Sequence, residues 1–342
     1  MIILPLTSLG GFITPQSTLY FEAASPQPTC RSSITRTPLR NMSEPDTEEE
    51  SQKPPTLRSP VAYWSIPGSW HRREHPGWPE WTSQMPENVP SGTVCHVTKG
   101  KPVGFSATAH VERLPSGHVV KYPRSNPYSP TEEEYYREDI TIEAEIYQRL
   151  GDCPYIPRLI DWDPESCCLT MEYFENGDLA KFMKKTTHIP ADVRQRWALQ
   201  AAYAVKELHG ADVIHCDMMP RNFMLTAAFD LRLADFAGSS VDGSAPTVAA
   251  GPRFSPPVQN SEYRAEKRQD IFALGSLMYF IMVGNEPFAE IPGEDVVMLF
   301  KQGVFPNLLD VDCRAVIQGC WDGTLGTAEQ VIGSLTALYE DF

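Results

Sequence analysis

The chain has 342 residues, 42% of them hydrophobic and 21% charged, with a net charge of −15. At about 150 residues per domain this allows roughly two domains and a sizeable core, which excludes a wholly disordered chain and a disulfide-stapled miniprotein. The acidic balance argues against electrostatic capture of nucleic acid or an anionic membrane by the whole chain. The longest apolar stretch, 271–284, is 14 residues, too short to span a bilayer, and reads as a buried core helix.

The N-terminus, Met-Ile-Ile-Leu-Pro-Leu, lacks a basic flank, so no secretory leader is expected. Residues 1–90 hold 14 of the 31 prolines, with an acidic run at Asp46–Glu50, and read as a disordered tail up to about residue 92. Within it lie Trp64, Trp70, Trp78 and Trp81, interleaved with His71, Arg72 and Arg73. This patch is either a docking motif that folds on a partner or an apolar anchor for the tail. From residue 93 short β-branched runs follow: Thr93–Val97, Thr108–Leu114 and His118–Tyr122, the last two joined by Pro115-Ser116-Gly117. Ser129-Pro130-Thr131-Glu132 marks a helix start, with Ile142, Ile146 and Leu150 on one face. Leu159–Ile160 and Leu169–Tyr173 are further strands, and Asp192–His209 is an amphipathic helix. Strands with one helix, followed mostly by helices, predict an α+β chain with a small β-rich lobe and a larger α-helical lobe. Eight cysteines show no C-x-x-C and no zinc-type pairing with the eight histidines. Reduced thiols in a cytoplasmic or nuclear protein are expected.

The chemistry concentrates in two places. Asp217 stands five residues before Asn222 on one loop, and Asp235 thirteen beyond. That arrangement suits phosphoryl transfer: one carboxylate takes the proton of an attacking hydroxyl, while the amide and the other carboxylate hold Mg²⁺ against phosphates. Singly, each residue is as well explained by turn chemistry.

The order of the pieces resembles the protein kinase family, over about residues 97–342. His215-Cys216-Asp217 through Asn222 is similar to H-R-D-x-x-x-x-N, and Asp235-Phe236-Ala237-Gly238 to a D-F-G shifted to D-F-A. Val119-Val120-Lys121 resembles the family's V-A-I-K, and Glu143 its helical glutamate partner. Met171-Glu172-Tyr173-Phe174 with Gly177-Asp178-Leu179 resembles the hinge, and Asp270–Gly275 the D-x-W-S-L-G that opens a buried helix. The resemblance implies a bilobal fold: a small lobe over about 93–171, a hinge at 172–178 and a large lobe over 179–342. It has the style of divergent, fungal-type kinase-like chains.

It further implies that Lys121, held by Glu143, grips ATP phosphates, that Asp217 is the base, and that Asn222 and Asp235 bind Mg²⁺. The backbone of Glu172 and Phe174 would bond adenine and Asp178 the ribose, with Met171 as gatekeeper. Gly104, Ser106 and Val111 would line the phosphate loop. His215, Phe236, Tyr147 and Leu159 would stack into a column, and Asp270 would pin the catalytic loop. Without the resemblance, Lys121 reads as a solvated strand-end lysine and Glu143 as an exposed helix glutamate.

Departures from the pattern are informative. Ser106 and Ala109 replace two glycines of the phosphate loop, so weaker nucleotide binding is expected. Cys216 replaces the arginine that in the family pairs with a phosphorylated segment, and a thiol cannot make that pair. Activity is therefore expected not to depend on phosphates at Ser239, Ser240, Ser244 or Thr247. Met219 takes the place of a lysine, with Arg221 offering a substitute cation. Ala237 replaces a glycine, and Ser255-Pro256-Pro257 lacks the glutamate of A-P-E. Its arginine partner is missing from 320–324 as well, so no charge is stranded. The expected function is ATP- and Mg²⁺-dependent transfer of the γ-phosphate to Ser or Thr, less readily Tyr, on a protein substrate, with no nucleic-acid or membrane partner. Two alternatives stay open: a pseudokinase acting as a nucleotide-responsive interaction module, and a small-molecule phosphotransferase of the same fold.

Overall fold

A computed structural model describes residues 62–257 and 264–340. The described chain begins with β1 (Ala62–Ile66) and α1 (Ser69–Glu74), then β2 (Thr93–Val97). β1 and β2 pair in parallel, Ala62 opposite Thr93 and Ile66 opposite Val97. Residues 62–66 and 69–74, expected to lie in a disordered tail reaching about residue 92, therefore form regular structure, while residues 1–61 lie outside the described residues. Parallel pairing needs a crossover of a dozen or more residues, which no local turn signal announces. Trp70 is buried and donates through Nε1 to Thr98 Oγ1 at 2.9 Å, so this member of the tryptophan patch is an anchor. Trp78 stays exposed, stacked on His75 at 4.6 Å between centroids.

The small lobe is an antiparallel sheet of β3 (Lys101–Phe105), β4 (Ala109–Arg113), β5 (Val119–Pro123), β6 (Leu159–Asp163) and β7 (Cys168–Met171), in the order β3-β4-β5-β7-β6. Against it packs α2 (Pro130–Leu150), which starts with Pro130 in its first turn and acidic Glu132 and Glu133 beside it, where the helix dipole favours them.

The large lobe follows: α3 (Leu179–Lys185), α4 (Ala191–Gly210), the short strands β8 (Val213–Ile214), β9 (Phe223–Leu225), β10 (Leu231–Leu233) and β11 (Ser240–Val241), then α5 (Lys267–Val283), α6 (Gly293–Lys301), α7 (Arg314–Asp322) and α8 (Ala328–Glu340). β9 pairs with β10 and β8 with β11, placing the loops between them side by side. α5 is the core helix expected from the apolar run. A capping box between Glu266 and Gln269 starts it, Ile271–Leu274 are buried, and Gly284 ends it at φ 91° in the left-handed region that favours glycine. Arg194 of α4, inconspicuous in the sequence, donates to the carbonyls of Ile281 and Met282 at the C-terminus of α5. Among the described residues no helix is long and apolar enough to cross a membrane.

The β1–β2 unit docks on the sheet through rings. His96 stacks on His110 at 3.6 Å and 6°, and Tyr63 meets His110 edge-on at 5.9 Å. Glu112 ties the base of this cluster, accepting from the backbone N–H of Lys99 at 2.6 Å and of Gly100 at 3.0 Å while Oε1 lies 2.9 Å from His96 Nε2. His96, His110 and Glu112 are close enough to hold a metal ion. Parallel stacking nevertheless sends the ring lone pairs along parallel planes rather than toward one centre, which tetrahedral ligation requires.

Burial, reinforced by the charges of His96 and Arg124, lowers the His110 imidazole to about 3. The unfolded chain binds that proton below about 6.5, whereas the folded chain refuses it until about 3. Stability from this group is complete above pH 6.5 and falls as pH drops below it. We expect the melting temperature to fall between pH 7 and 5, and His110→Phe, which keeps a ring, to show a smaller fall. Buried His71 shifts in the same sense, so the paired comparison isolates His110. Equal falls in both proteins would contradict the assignment.

Candidate functional site

Lys121 sits in the middle of β5, paired with Val111 on one side and Leu169 on the other, so its side chain leaves the sheet on the α2 side. Its Nζ lies 2.6 Å from Glu143 Oε2 and 2.5 Å from Asp235 Oδ1. Lys121 and Glu143 side chains are only 5% and 1% exposed, which overturns the reading of both as solvated surface residues. Burial works against the Lys121 charge, but the two carboxylates override it and raise its pKa. Burial also pushes the Glu143 carboxyl up, against the pull of Lys121. For Asp235 burial in the cleft likewise pushes upward, yet Lys121, by charge and hydrogen bond, wins and holds it below the usual carboxylate range. Half of the Asp235 side chain remains open.

The loop after β8 supplies the second half. Asp217 Oδ2 accepts from Arg221 Nη2 at 2.7 Å and Asn222 Nδ2 at 3.2 Å, while the same amide bonds the Asp217 carbonyl at 2.7 Å. Asp217 Oδ1 is buried with no hydrogen-bond donor among the described residues. Burial raises the Asp217 carboxyl, with Arg221 and His215 pulling it back.

Asp270, at the start of α5, holds this loop from below. Its Oδ2 accepts the His215 N–H at 2.8 Å, its Oδ1 the Cys216 N–H at 3.1 Å, and His209 Nε2 lies 3.1 Å away. The aromatic column also forms: Phe236 meets Tyr147 at 5.0 Å and His215 at 5.5 Å, all three buried, with Leu159 half-buried in the same core.

The remaining residues line the approach. Gly104 pairs with Val111 in the β3–β4 hairpin, whose turn contains Ser106; Ala109 is buried. At the hinge, Met171 is buried at the end of β7. The Glu172 N–H donates to Arg158 O and the Phe174 carbonyl accepts from Gly177, bonds that use neither the Glu172 carbonyl nor the Phe174 N–H. Asp178 carries a job the sequence reading missed. It is the N-cap of α3, accepting from Lys181 N–H at 2.8 Å, with Lys181 Nζ 3.0 Å from its other oxygen. The cue, an aspartate directly before a helical run, was present in the sequence.

A family model described as the protein kinase domain matches residues 118–316, more than half of the chain. This chain belongs to the protein kinase family. It is 24% identical over 190 residues to a probable cAMP-dependent protein kinase catalytic subunit of Encephalitozoon cuniculi, covering 54% of this chain and 59% of the relative. To an Aurora kinase of Eremothecium gossypii it is 28% identical over 193 residues, covering 54% and 51%. To the serine/threonine-protein kinase ULK3 of Xenopus laevis it is 29% identical over 193 residues, covering 53% and 41%. The chain thus spans about half the length of the curated relatives it matches.

Within this kinase fold the departures acquire a physical setting. Cys216 is buried at φ 66°, its thiol pushed up to about 12 by burial and by Asp270, so it is an uncharged packing group. Met219 lies beside Gly251 of the segment that follows Asp235. Near the missing A-P-E glutamate, Arg253 donates to the carbonyls of Phe288 and Ile291 beyond α5, and its neighbour Phe254 is buried. Sequence reasoning also missed two ties between α2 and the segment after Asp235, from Arg149 to Asp242 and from Thr247 to Asp139. Partners 93 and 108 residues apart leave no signal in local spacing.

Proposed function

We propose that the chain binds ATP with Mg²⁺ between its two lobes and transfers the γ-phosphoryl group to a Ser or Thr hydroxyl of a protein. The observation that carries this reading is the Lys121 ammonium gripped by Glu143 and Asp235 beside a catalytic loop that presents Asp217 and Asn222. The hard oxygens of Asp235 and Asn222 suit Mg²⁺, and the open half of Asp235 leaves room for it, so these two residues would hold the ion. When bound it neutralises phosphate charge. Lys121 acts as a fixed point charge for the phosphates, placed by Glu143. The unpartnered Asp217 Oδ1 takes the proton of the attacking hydroxyl as its oxygen bonds to the γ-phosphorus and the bond to the bridging oxygen of ADP breaks. Similarity to serine/threonine-protein kinases supports Ser or Thr over Tyr. The unpaired state of all seven described cysteines supports a reducing compartment, cytoplasm or nucleus.

Arg221 tunes the base. Its charge and hydrogen bond lower an Asp217 carboxyl that burial has raised, so its removal sends that carboxyl higher still. In Arg221→Ala we expect the acid limb of kcat/KM to move to higher pH, with kcat down about tenfold, equivalent to ~1.4 kcal/mol. A pH–rate profile checks this, and an unmoved limb would rule out the tuning role.

A second reading, a nucleotide-responsive pseudokinase, is favoured by the phosphate loop, where Ser106 Oγ accepts the Thr108 N–H at 3.4 Å and Ala109 replaces a glycine. Mg²⁺-dependent ATP turnover by residues 60–342, with and without generic protein substrate and beside Asp217→Asn, decides between the two. Turnover lost in the variant, with phosphate on protein, supports the kinase. A Mg²⁺–ATP thermal shift without turnover supports the pseudokinase.

A further inference from the structure

α2 meets the segment 235–247 at successive heights along one stripe. Asp139, Glu143 and Tyr147 are spaced four apart and share a helix face. Thr247 Oγ1 donates to Asp139 Oδ1 at 2.9 Å, Glu143 holds the lysine that reaches Asp235, and the Tyr147 ring packs on Phe236. In the last turn Arg149 closes a two-pronged fork on Asp242, 2.8 Å to Oδ1 and 2.9 Å to Oδ2. The same guanidinium donates to Ala211 O at 3.2 Å and Glu145 Oε1 at 2.9 Å, which fixes its plane.

The segment's side of each contact is fixed as well. Asp242 follows β11 directly and donates its N–H to Asp212 O at 3.0 Å. Thr247 donates its N–H to Gly238 O at 3.0 Å, and its side chain lies where a Cβ on Gly238, at φ 80°, would collide with it. Two consequences follow. The Asp242 carboxylate supplies a permanent negative charge to Arg149. Around Thr247, by contrast, the facing group is itself a carboxylate, and an added anion there would replace a hydrogen bond by like-charge repulsion.

We propose that Arg149–Asp242 and Asp139–Thr247 are positioning pairs that hold α2, and with it Glu143, over Lys121 without any phosphate, and that negative charge at Thr247 releases the helix. The activity readouts rest on the kinase reading above; the structural readout does not.

The test combines hydrogen exchange of the α2 amides with steady-state kinetics. Phosphatase-treated wild type is compared with Asp242→Asn, Thr247→Val, Thr247→Glu and the charge-swapped pair Arg149→Asp with Asp242→Arg. Because Asp242 is largely exposed, global melting should barely change, and the effect is read in a local equilibrium. We expect faster α2 exchange and a KM for ATP raised about three- to tenfold in Asp242→Asn and Thr247→Val. Thr247→Glu should lower kcat/KM by about tenfold or more, and the charge swap should restore both exchange and KM. Unchanged α2 exchange in Asp242→Asn and Thr247→Glu overturns the proposal. If no form turns over ATP, the kinase reading fails and exchange alone still decides this one.

Discussion

If Asp217 is the base, as proposed, Asp217→Asn should lower kcat by about 10²–10⁴-fold, the usual contribution of a positioned general base, while the protein stays folded. The substitution is isosteric, and an amide can still meet Arg221 or Asn222 at the Oδ2 position, 2.7 and 3.2 Å from its partners in the wild type. What it cannot do is take a proton at the position of Oδ1, the buried oxygen with no donor among the described residues. Burial of a charged carboxyl costs stability here, so neutralising it leaves the melting temperature near or slightly above wild type. Measuring phosphate transfer and thermal unfolding on the same preparations separates loss of chemistry from loss of fold. Wild-type turnover in the variant would remove Asp217 from the mechanism.

Lys121→Ala has the largest expected effect on stability. It strands Glu143, whose side chain is 1% exposed, and breaking a buried pair from one side costs about 3–5 kcal/mol. Asp235 is spared because half of its side chain reaches solvent. With Lys121 gone, the Glu143 carboxyl, already raised by burial, rises further. A raised carboxyl keeps its stability below its unfolded pKa and loses it as pH climbs through the folded value. The variant should therefore be destabilised more at pH 8 than at pH 5, as denaturant unfolding at the two pH values would show. Lys121→Met with Glu143→Leu, which removes both charges, should recover most of the stability but no Mg²⁺–ATP thermal shift. A double variant as unstable as the single one would mean that the pair acts through shape rather than charge.

What was legible beforehand was local. The helix start at Pro130, the face through Ile142 and Ile146, and the buried helix behind residues 271–284 follow from periodicities of a few residues, and the structure shows α2 and α5 there. The loop 215–222 and the tetrad 235–238 were readable because the residues proposed for phosphoryl chemistry lie close along the chain. Asp178 shows the limit even there, since the motif pointed to one role for this carboxylate while its place at the start of α3 gives it a second, as N-cap.

Tertiary structure decided what no spacing encodes. Whether Lys121 is a solvated strand end or a buried cation depends on α2 folding over β5 and on Asp235 arriving 114 residues later. The parallel pairing of Ala62–Ile66 with Thr93–Val97 places regular structure before residue 93, where the sequence showed none. Arg149 with Asp242, Asp139 with Thr247, and Arg253 with the carbonyls beyond α5 are likewise ordinary surface residues until the chain closes. The reason is physical: a hydrogen-bonded turn or an amphipathic stripe is specified within a few residues, whereas the desolvation and charge pairing that turn a side chain into a working group are set by neighbours that only folding brings within about 3 Å.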